Sequence, residues 1–227
     1  MKVVKFIPNS HAIDKSWKQP VPIKSLVPDW YVNAERYYKT AHGEEAPGLK
    51  TCAPFLDGLI SGYALVTPED IFVSRDEDGN LKIEWASDSN PVGERKGVSG
   101  STMPRPAGHE QNHLIWPSKW GWKTPKGYSS LVTHPLNRFD LPFTTMSAIV
   151  DTDEYPAWGN VPFFIKSGFE GVIPAGTPYA QIIPIKRNSW TYAQDWTSSD
   201  KVQALANTTR SGKGVYKKLW RKPKDYR

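Results

Sequence analysis

The sequence predicts a mainly β protein, and three observations carry that reading. Its 227 residues include 20 prolines, 17 glycines and 10 tryptophans. That mixture suits short strands joined by many turns, with large aromatics filling the gaps. The alternating runs DIFVSR and LKIEWA flank Asp78-Gly79 (or Gly79-Asn80), which is the pattern of a β-hairpin. Finally, the stretch from Thr144 to Arg187 repeats a short apolar run, a Gly/Pro turn and another short apolar run. It is the expected centre of the β body.

Composition bounds the rest. Hydrophobic residues make up 38% and charged residues 23% of the chain, an ordinary globular balance. The one cysteine, Cys52, permits no internal disulfide and fits a reducing compartment. No apolar run is long enough to span a bilayer, and the start, MKVVKFIPNSHAIDK, lacks the apolar core of a signal peptide. The expectation is a soluble intracellular protein with no membrane partner. The net charge of +6 is local: residues 210–227 hold eight Lys/Arg against Asp225 alone, so this tail carries +7 and the rest −1. Such a tail suits nucleic acid, nucleotide phosphates or an acidic partner surface; it also suits simple solvation.

Taken in order, KVVKFI (2–7) alternates as an opening strand, and a connector with Pro8, Pro20, Pro22 and Pro28 excludes regular helix. Asp29 is placed to cap a helix over 29–43. Trp30, Ala34, Tyr37 and Ala41 fall at helical spacing, and Gly43 offers a stop. In PFLDGLISGYALV, Pro54, Gly58 and Gly62 argue for an extended segment rather than a buried helix. Residues 87–113 are expected to be a long loop. It ends in His109-Glu110-Gln111-Asn112-His113, formally the H-E-x-x-H zinc pattern. That pattern needs a helix to put both histidines on one face, and the flanking prolines leave under three turns, so loop or strand-edge histidines are expected. Trp116, Trp120 and Trp122 lie among apolar neighbours and are read as core. After Arg187, a short helix capped by Asp200 or Ser199 presents Val202, Leu205 and Ala206 and ends at Asn207-Thr208-Thr209. The corresponding division is 1–47 (strand, Pro-rich arm and helix), 48–187 (β core) and 188–227 (helix and basic tail).

Asp151 and Asp153 follow the apolar run Ala148-Ile149-Val150. Two residues apart at a strand end, they point the same way, and Asp151 is placed to orient a water or accept a sugar hydroxyl. A solvated Asp turn is the ordinary explanation of the same pattern. Ser129, Ser130 and His134 lie close in sequence, but nothing marks a nucleophile elbow.

The segment SAIVDTDEYPAWGNVPFFIKSGFEGVIPAGTPYAQIIPI resembles the signature region of the trimeric dUTPase and dCTP deaminase superfamily. Ile149-Val150-Asp151-Thr152-Asp153 matches the start of G-[VI]-[VI]-D-x-D-Y-x-G, with Tyr155 displaced by one residue through Glu154. Gly176-Thr177-Pro178-Tyr179-Ala180-Gln181-Ile182-Ile183 matches the later turn and strand. Thr124-Pro125-Lys126-Gly127-Tyr128 looks like the entry to the second motif, and Ser61-Gly62-Tyr63-Ala64-Leu65 like the first. The chain as a whole also looks like a phage-encoded family sharing this core.

The resemblance implies a distorted β-barrel or jelly-roll core, to which the N-terminal helix and the short C-terminal helix read above are added, assembled as a homotrimer with sites between subunits. It implies a nucleotide ligand, in host cytoplasm or a virion, and Mg2+ brought through nucleotide phosphates rather than held by protein ligands. Asp151 would stand at the water-orienting and 3′-hydroxyl-accepting position, and Gln181 near the phosphates. Tyr155 would lie under the sugar. Asp153, His134, Asn137 and Arg210 complete the expected substrate contacts. Where the family carries an acid this chain has Ala64, and the phosphate-gripping Arg-Ser pair falls on Pro135 and Leu136. Arg210-Ser211-Gly212-Lys213-Gly214 faintly echoes the Gly-rich C-terminal arm. Two function classes follow: a nucleotide protein, either a degenerate phosphohydrolase or a non-catalytic binder, and a structural or assembly protein reusing the fold.

Overall fold

The computed structural model describes residues 2–9, 17–94, 104–156, 158–210 and 212–227. Residues 95–103 of the expected 87–113 loop lie outside the described residues, as do 10–16 of the Pro-rich connector. Most regular structure is strand. The chain runs through β1 (Lys5–Pro8), β2 (Val21–Pro22), α1 (Asp29–Asn33), β3 (Tyr37–Lys39), β4 (Glu45–Pro47) and α2 (Ala53–Ile60). β5 (Tyr63–Val66), β6 (Ile71–Arg75) and β7 (Leu81–Glu84) follow, then β8 (Leu114–Pro117), β9 (Trp120–Lys123), β10 (Tyr128–Thr133) and β11 (Phe143–Thr145). β12 (Ala148–Val150), β13 (Asn160–Ile165), β14 (Gly171–Ile173) and β15 (Pro178–Lys186) close the β body, and α3 (Ser199–Arg210) and α4 (Val215–Leu219) end the chain.

The largest sheet has the order β12-β10-β15-β5-β2, and β11-β13-β8 and β14-β6-β7 form two further sheets. The pairings are antiparallel, including β10 with both β12 and β15. One apolar core joins these sheets. Leu65, Ile71, Trp116, Phe143, Phe163 and Ile182 are among its most deeply buried members. Trp116 stacks on Phe163 at 3.8 Å between ring centroids and meets Phe143 edge-on at 5.1 Å. The expectation of Trp116 and Trp122 as core side chains is met. β5 is buried on both faces: Leu65 enters the main core, while Ala64 and Val66 pack with Ile23 in a second cluster. Alternation of side chains along a strand produces this split.

The hairpin predicted around Asp78-Gly79 is β6–β7. Its turn is wired by the Asp76 carboxylate, which accepts hydrogen bonds from the backbone N–H groups of Asp78 and Asn80.

Three sequence expectations need correction, and one open alternative is decided. The helix over 29–43 stops at Asn33, with Pro28 rather than Asp29 at its N-cap. Residues 37–47 instead form the β3–β4 hairpin, and Gly43, at φ +82°, is a turn residue of that hairpin. The Gly48 N–H donates to Arg36 O, tying the hairpin's ends together. Tertiary pairing here overrides a helical spacing of aromatics. The second correction is α2, a helix where an extended segment was expected. Pro54 lies in its first turn, where a missing N–H costs nothing. Gly62 then reverses the chain at φ +83°, and a Cβ there would lie 2.1 Å from Ile182 O, so only glycine fits.

The third correction extends the C-terminal helix to Arg210. Thr208 and Thr209 donate their hydroxyls to Ala204 O and Leu205 O and so stay helical. Upstream, the Asp195 carboxylate accepts from the Thr197 and Ser198 N–H groups, and α3 is followed by a second helix, α4. The last concerns the tail, for which the sequence leaves solvation and an acidic partner surface both open: part of it docks on an acid of the chain itself. Arg221 and Lys224 both reach Asp57 of α2, and Tyr226 packs edge-on against Tyr63.

Candidate functional site

Antiparallel pairing of β10 with β12 and β15 sets the candidate site, since it brings Ser129, Asp151 and Arg187 together at one end of these strands of the largest sheet, a strand-end edge. Ser130 pairs with Val150, and Ser129 with Ile185. The chain therefore leaves β12 at Asp151 beside Ser129, and leaves β15 at Arg187 beside Gly127. The Arg187 N–H donates to Gly127 O and fixes the start of that side chain.

The Arg187 guanidinium then lies between both carboxylates. It donates from Nη1 to Asp153 Oδ1 at 2.6 Å and to Asp151 Oδ1 at 3.3 Å, while Nη2 donates to Asp153 Oδ2. Ser129 Oγ donates to Asp151 Oδ1 at 2.6 Å, and the Gly127 N–H donates to Asp153 Oδ2 at 2.8 Å. The two carboxylates differ sharply in access. The Asp151 side chain is 65% exposed and the Asp153 side chain 2%. Arg187, through its hydrogen bonds and charge, with help from the Gly127 N–H, holds the Asp153 carboxyl far below the usual carboxylate range. Asp153 is thereby a fixed anion that aims Arg187, while among the described residues Asp151 Oδ2 accepts no hydrogen bond. Exposed Ile149 and Tyr155 lie on either side of Asp151 in sequence.

Beneath this edge a directional hydrogen-bond chain stiffens the turn. Trp122 Nε1 donates to Ser130 Oγ, Ser130 to Thr152 Oγ1, Thr152 to Thr124 Oγ1, and Thr124 to Tyr128 O. The final bond fixes the sense of the others, because Thr124 has its one proton committed to a carbonyl.

The other expected site residues form a second group. Gln181 is completely buried. Its Oε1 accepts from the Leu136 N–H at 2.7 Å, and its Nε2 donates to Gly58 O at 3.0 Å and Ser61 O at 2.6 Å. Asn137, at φ +62°, donates from Nδ2 to Phe55 O. These bonds fasten the 134–138 turn to α2. His134 accepts at Nδ1 from the Thr145 N–H and donates from Nε2 to Arg138 O, and burial pushes its imidazole pKa down. Gln181, Asn137 and His134 are thus committed to the scaffold. Arg210 stands apart at the end of α3.

Sequence reasoning missed Arg187, although the Lys186-Arg187 pair that ends the apolar run IIPI was its visible signal. It also missed Asp57, which shows only as an acid within an apolar helix. The H-E-x-x-H match is not a zinc site. His109 pairs across an isolated bridge with Lys166 and hydrogen-bonds Thr144 Oγ1. Glu110 pairs with Arg75 at 2.6 Å, and His113 packs against Phe164. With no helix, the two imidazoles share no face.

For Mg2+, the fit is poor. Among the described residues no three of His, Cys, Asp and Glu come together as a metal would require. The Arg187 guanidinium already occupies the space between Asp151 and Asp153.

Compared with solved structures, the chain is similar to a point mutant of the dUTPase from phage phi11 of S. aureus, described as showing coordination of a structural Mg(II) ion. The TM-score is 0.38 at 10% identity, covering 86% of this chain and 97% of that one. It is also similar to the dUTPase from the same phage described for its species-specific insert, with TM-score 0.37, 11% identity and coverage of 86% and 96%. No protein-family profile and no curated protein matches the chain.

Proposed function

We propose that this protein binds a nucleotide without hydrolysing it, using Asp151 as the acceptor for a sugar hydroxyl. The observation that carries this reading is the placement of Asp151. Ser129 and Arg187 hold one of its oxygens while the other faces solvent, in the stretch whose motif order resembles a nucleotide-handling family. A carboxylate with one oxygen fixed and one open is arranged to accept from a hydroxyl. Tyr155 supplies an exposed ring for the sugar, and Asp153 keeps Arg187 in position. Gln181, Asn137 and His134 position the 134–138 turn.

Binding is favoured over turnover by what occupies the positions where a phosphohydrolase needs acid and phosphate donors. Ala64 is completely buried against Ile23 and Val66. Pro135 has no N–H to offer, and the Leu136 N–H is spent on Gln181. Electrostatic stabilisation of developing phosphate charge therefore lacks the donors of those two positions.

Thermal unfolding in the presence of individual nucleosides and nucleoside monophosphates, which offer the sugar without a polyphosphate, tests the reading. A nucleotide at a hundred times its Kd raises stability by about 2.7 kcal/mol, and Asp151→Ala removes that rise without altering the unliganded Tm. No phosphate release accompanies binding. A panel that shifts nothing, or an Asp151→Ala protein that binds normally, overturns it; steady turnover overturns the non-catalytic part.

One observation favours a second reading, an oligomeric building block. Between Arg187 and α3 the chain exposes Trp190 (85%), Tyr192 (91%) and Trp196 (82%), and α3 has no buried residue. Large rings left this open suit a protein partner, another copy of the chain included. Replacing all three by Ser lowers the mass measured by light scattering if they join copies, and leaves it unchanged if they do not.

A further inference from the structure

The β3–β4 hairpin and the C-terminal segment face each other across a groove. Its wider part, about 490 Å³, is lined by Tyr37, Glu45, Arg210, Lys213 and Lys217, among others. A narrower part of about 260 Å³ continues past Tyr31, Arg36, Lys50 and Arg221. Tyr37, Thr51, Gly214 and Lys217 line both parts, so the two are continuous. Six cations thus border one groove, from two walls that are distant in sequence, and Glu45 is the single acid among the lining residues. Glu45 is already paired with Lys213. Arg221 is spent on Asp57, and Lys50 donates to Val32 O. Among the described residues, Arg36, Arg210 and Lys217 have no carboxylate partner.

Concentrating unpaired cations in a concave site costs repulsion, and an anion relieves it. The groove is moreover held open by the same latch that docks the tail. Arg221 and Lys224 on the buried Asp57 carboxylate fix the chain on the C-terminal side of α4. Lys213 sits over the Tyr37 ring at 4.3 Å and fixes it on the N-terminal side.

We propose that this groove binds the polyphosphate group of a small ligand of the nucleoside-triphosphate class. The site is separate from Asp151 and does not rest on the reading given for that residue. A small ligand is preferred to a nucleic-acid strand on geometry. Cations on facing walls converge on one pocket of a size that holds a small molecule. A strand needs an open basic track with free aromatic faces for its bases, whereas here Lys213 covers Tyr37. Guanidinium and ammonium donors also suit phosphate oxygens better than the Asp151 edge does, where two carboxylates outnumber one arginine.

Calorimetric titration of the full chain with sodium tripolyphosphate tests the proposal, with a nucleoside triphosphate and an oligothymidylate as parallel arms. Tripolyphosphate and the triphosphate bind the native chain. The Arg36→Ala/Lys217→Ala double variant weakens both by at least about tenfold, the loss expected from one charge-assisted hydrogen bond. Both residues are exposed, so the variant keeps its Tm, and Arg36→Lys/Lys217→Arg retains binding. Asp151→Ala leaves tripolyphosphate binding unchanged, which separates this groove from the sugar site. Undiminished binding by the double variant overturns the proposal, as does loss of tripolyphosphate binding in Asp151→Ala. Binding of oligothymidylate more than about tenfold tighter than either phosphate ligand identifies a nucleic-acid track and overturns it too.

Discussion

Two clusters of aspartate and basic side chains join distant segments of this molecule, and they are built with opposite charge balance. At the sheet edge one guanidinium, Arg187, serves two carboxylates, Asp151 and Asp153. At α2 one carboxylate, Asp57, serves two cations, Arg221 and Lys224. Each has a deeply buried carboxylate whose pKa is lowered chiefly by hydrogen bonds from an arginine. The surplus differs. The first leaves an exposed anion able to accept hydroxyl protons, and the second lies beside a groove of unpaired cations. A nucleotide needs both kinds of recognition, for its sugar and for its phosphates, and this chain offers them at different places. Clustering carboxylates where phosphate would sit opposes binding, so the sheet edge by itself is a poor phosphate site.

Removing the cation on which each buried carboxylate depends affects the two clusters unequally. Arg221→Ala has the larger effect. It leaves Asp57 inside with Lys224 alone, and stability falls by about 3 kcal/mol, the low end for breaking a buried pair. Urea unfolding reads the loss, and faster proteolysis within 210–227 reports release of the tail.

Arg187→Ala comes next in size. Asp153 keeps the Gly127 N–H, so the fold loses less, but the acid limb of its stability changes shape. A carboxyl whose folded pKa lies below its unfolded value contributes stability that is complete above the ordinary carboxylate range. That contribution is lost as pH falls through the lowered folded value. Native stability therefore declines progressively as pH falls below the ordinary carboxylate range toward the lowered value, whereas Arg187→Ala is less stable at neutral pH and loses less over the same acid range. An unchanged acid limb would mean that Arg187 does not set the Asp153 charge. The smallest effect belongs to Asp151→Asn, within about 0.5 kcal/mol, as for other exposed surface sites. Its consequence shows in nucleotide binding rather than in Tm.

Much of the β body was legible because its signals are local. The 76–80 hairpin declares itself through alternation and an Asp-Gly turn, and the apolar runs around Trp116 and Phe163 mark the core. Asp151 was legible as a strand-end carboxylate. Gln181 was visible as well, but what its carboxamide does was not. Its three partners lie on Leu136, Gly58 and Ser61, segments that meet only when β15 is in register with β5 and β10. The helix misread at 29–43 has the same origin. Helical spacing of aromatics is real there, yet pairing of residues 37–39 with 45–47 outweighs it.

The sequence alone determined a mainly β chain with a basic tail and a candidate carboxylate at Asp151, because alternation, turn chemistry and composition act over a few residues. Only the tertiary structure decided that Arg187 would neutralise Asp153 and leave Asp151 open, and that the tail would fold back on Asp57 to build a cationic groove. Those outcomes depend on charges up to 167 residues apart finding a shared buried place, and no local pattern encodes that meeting.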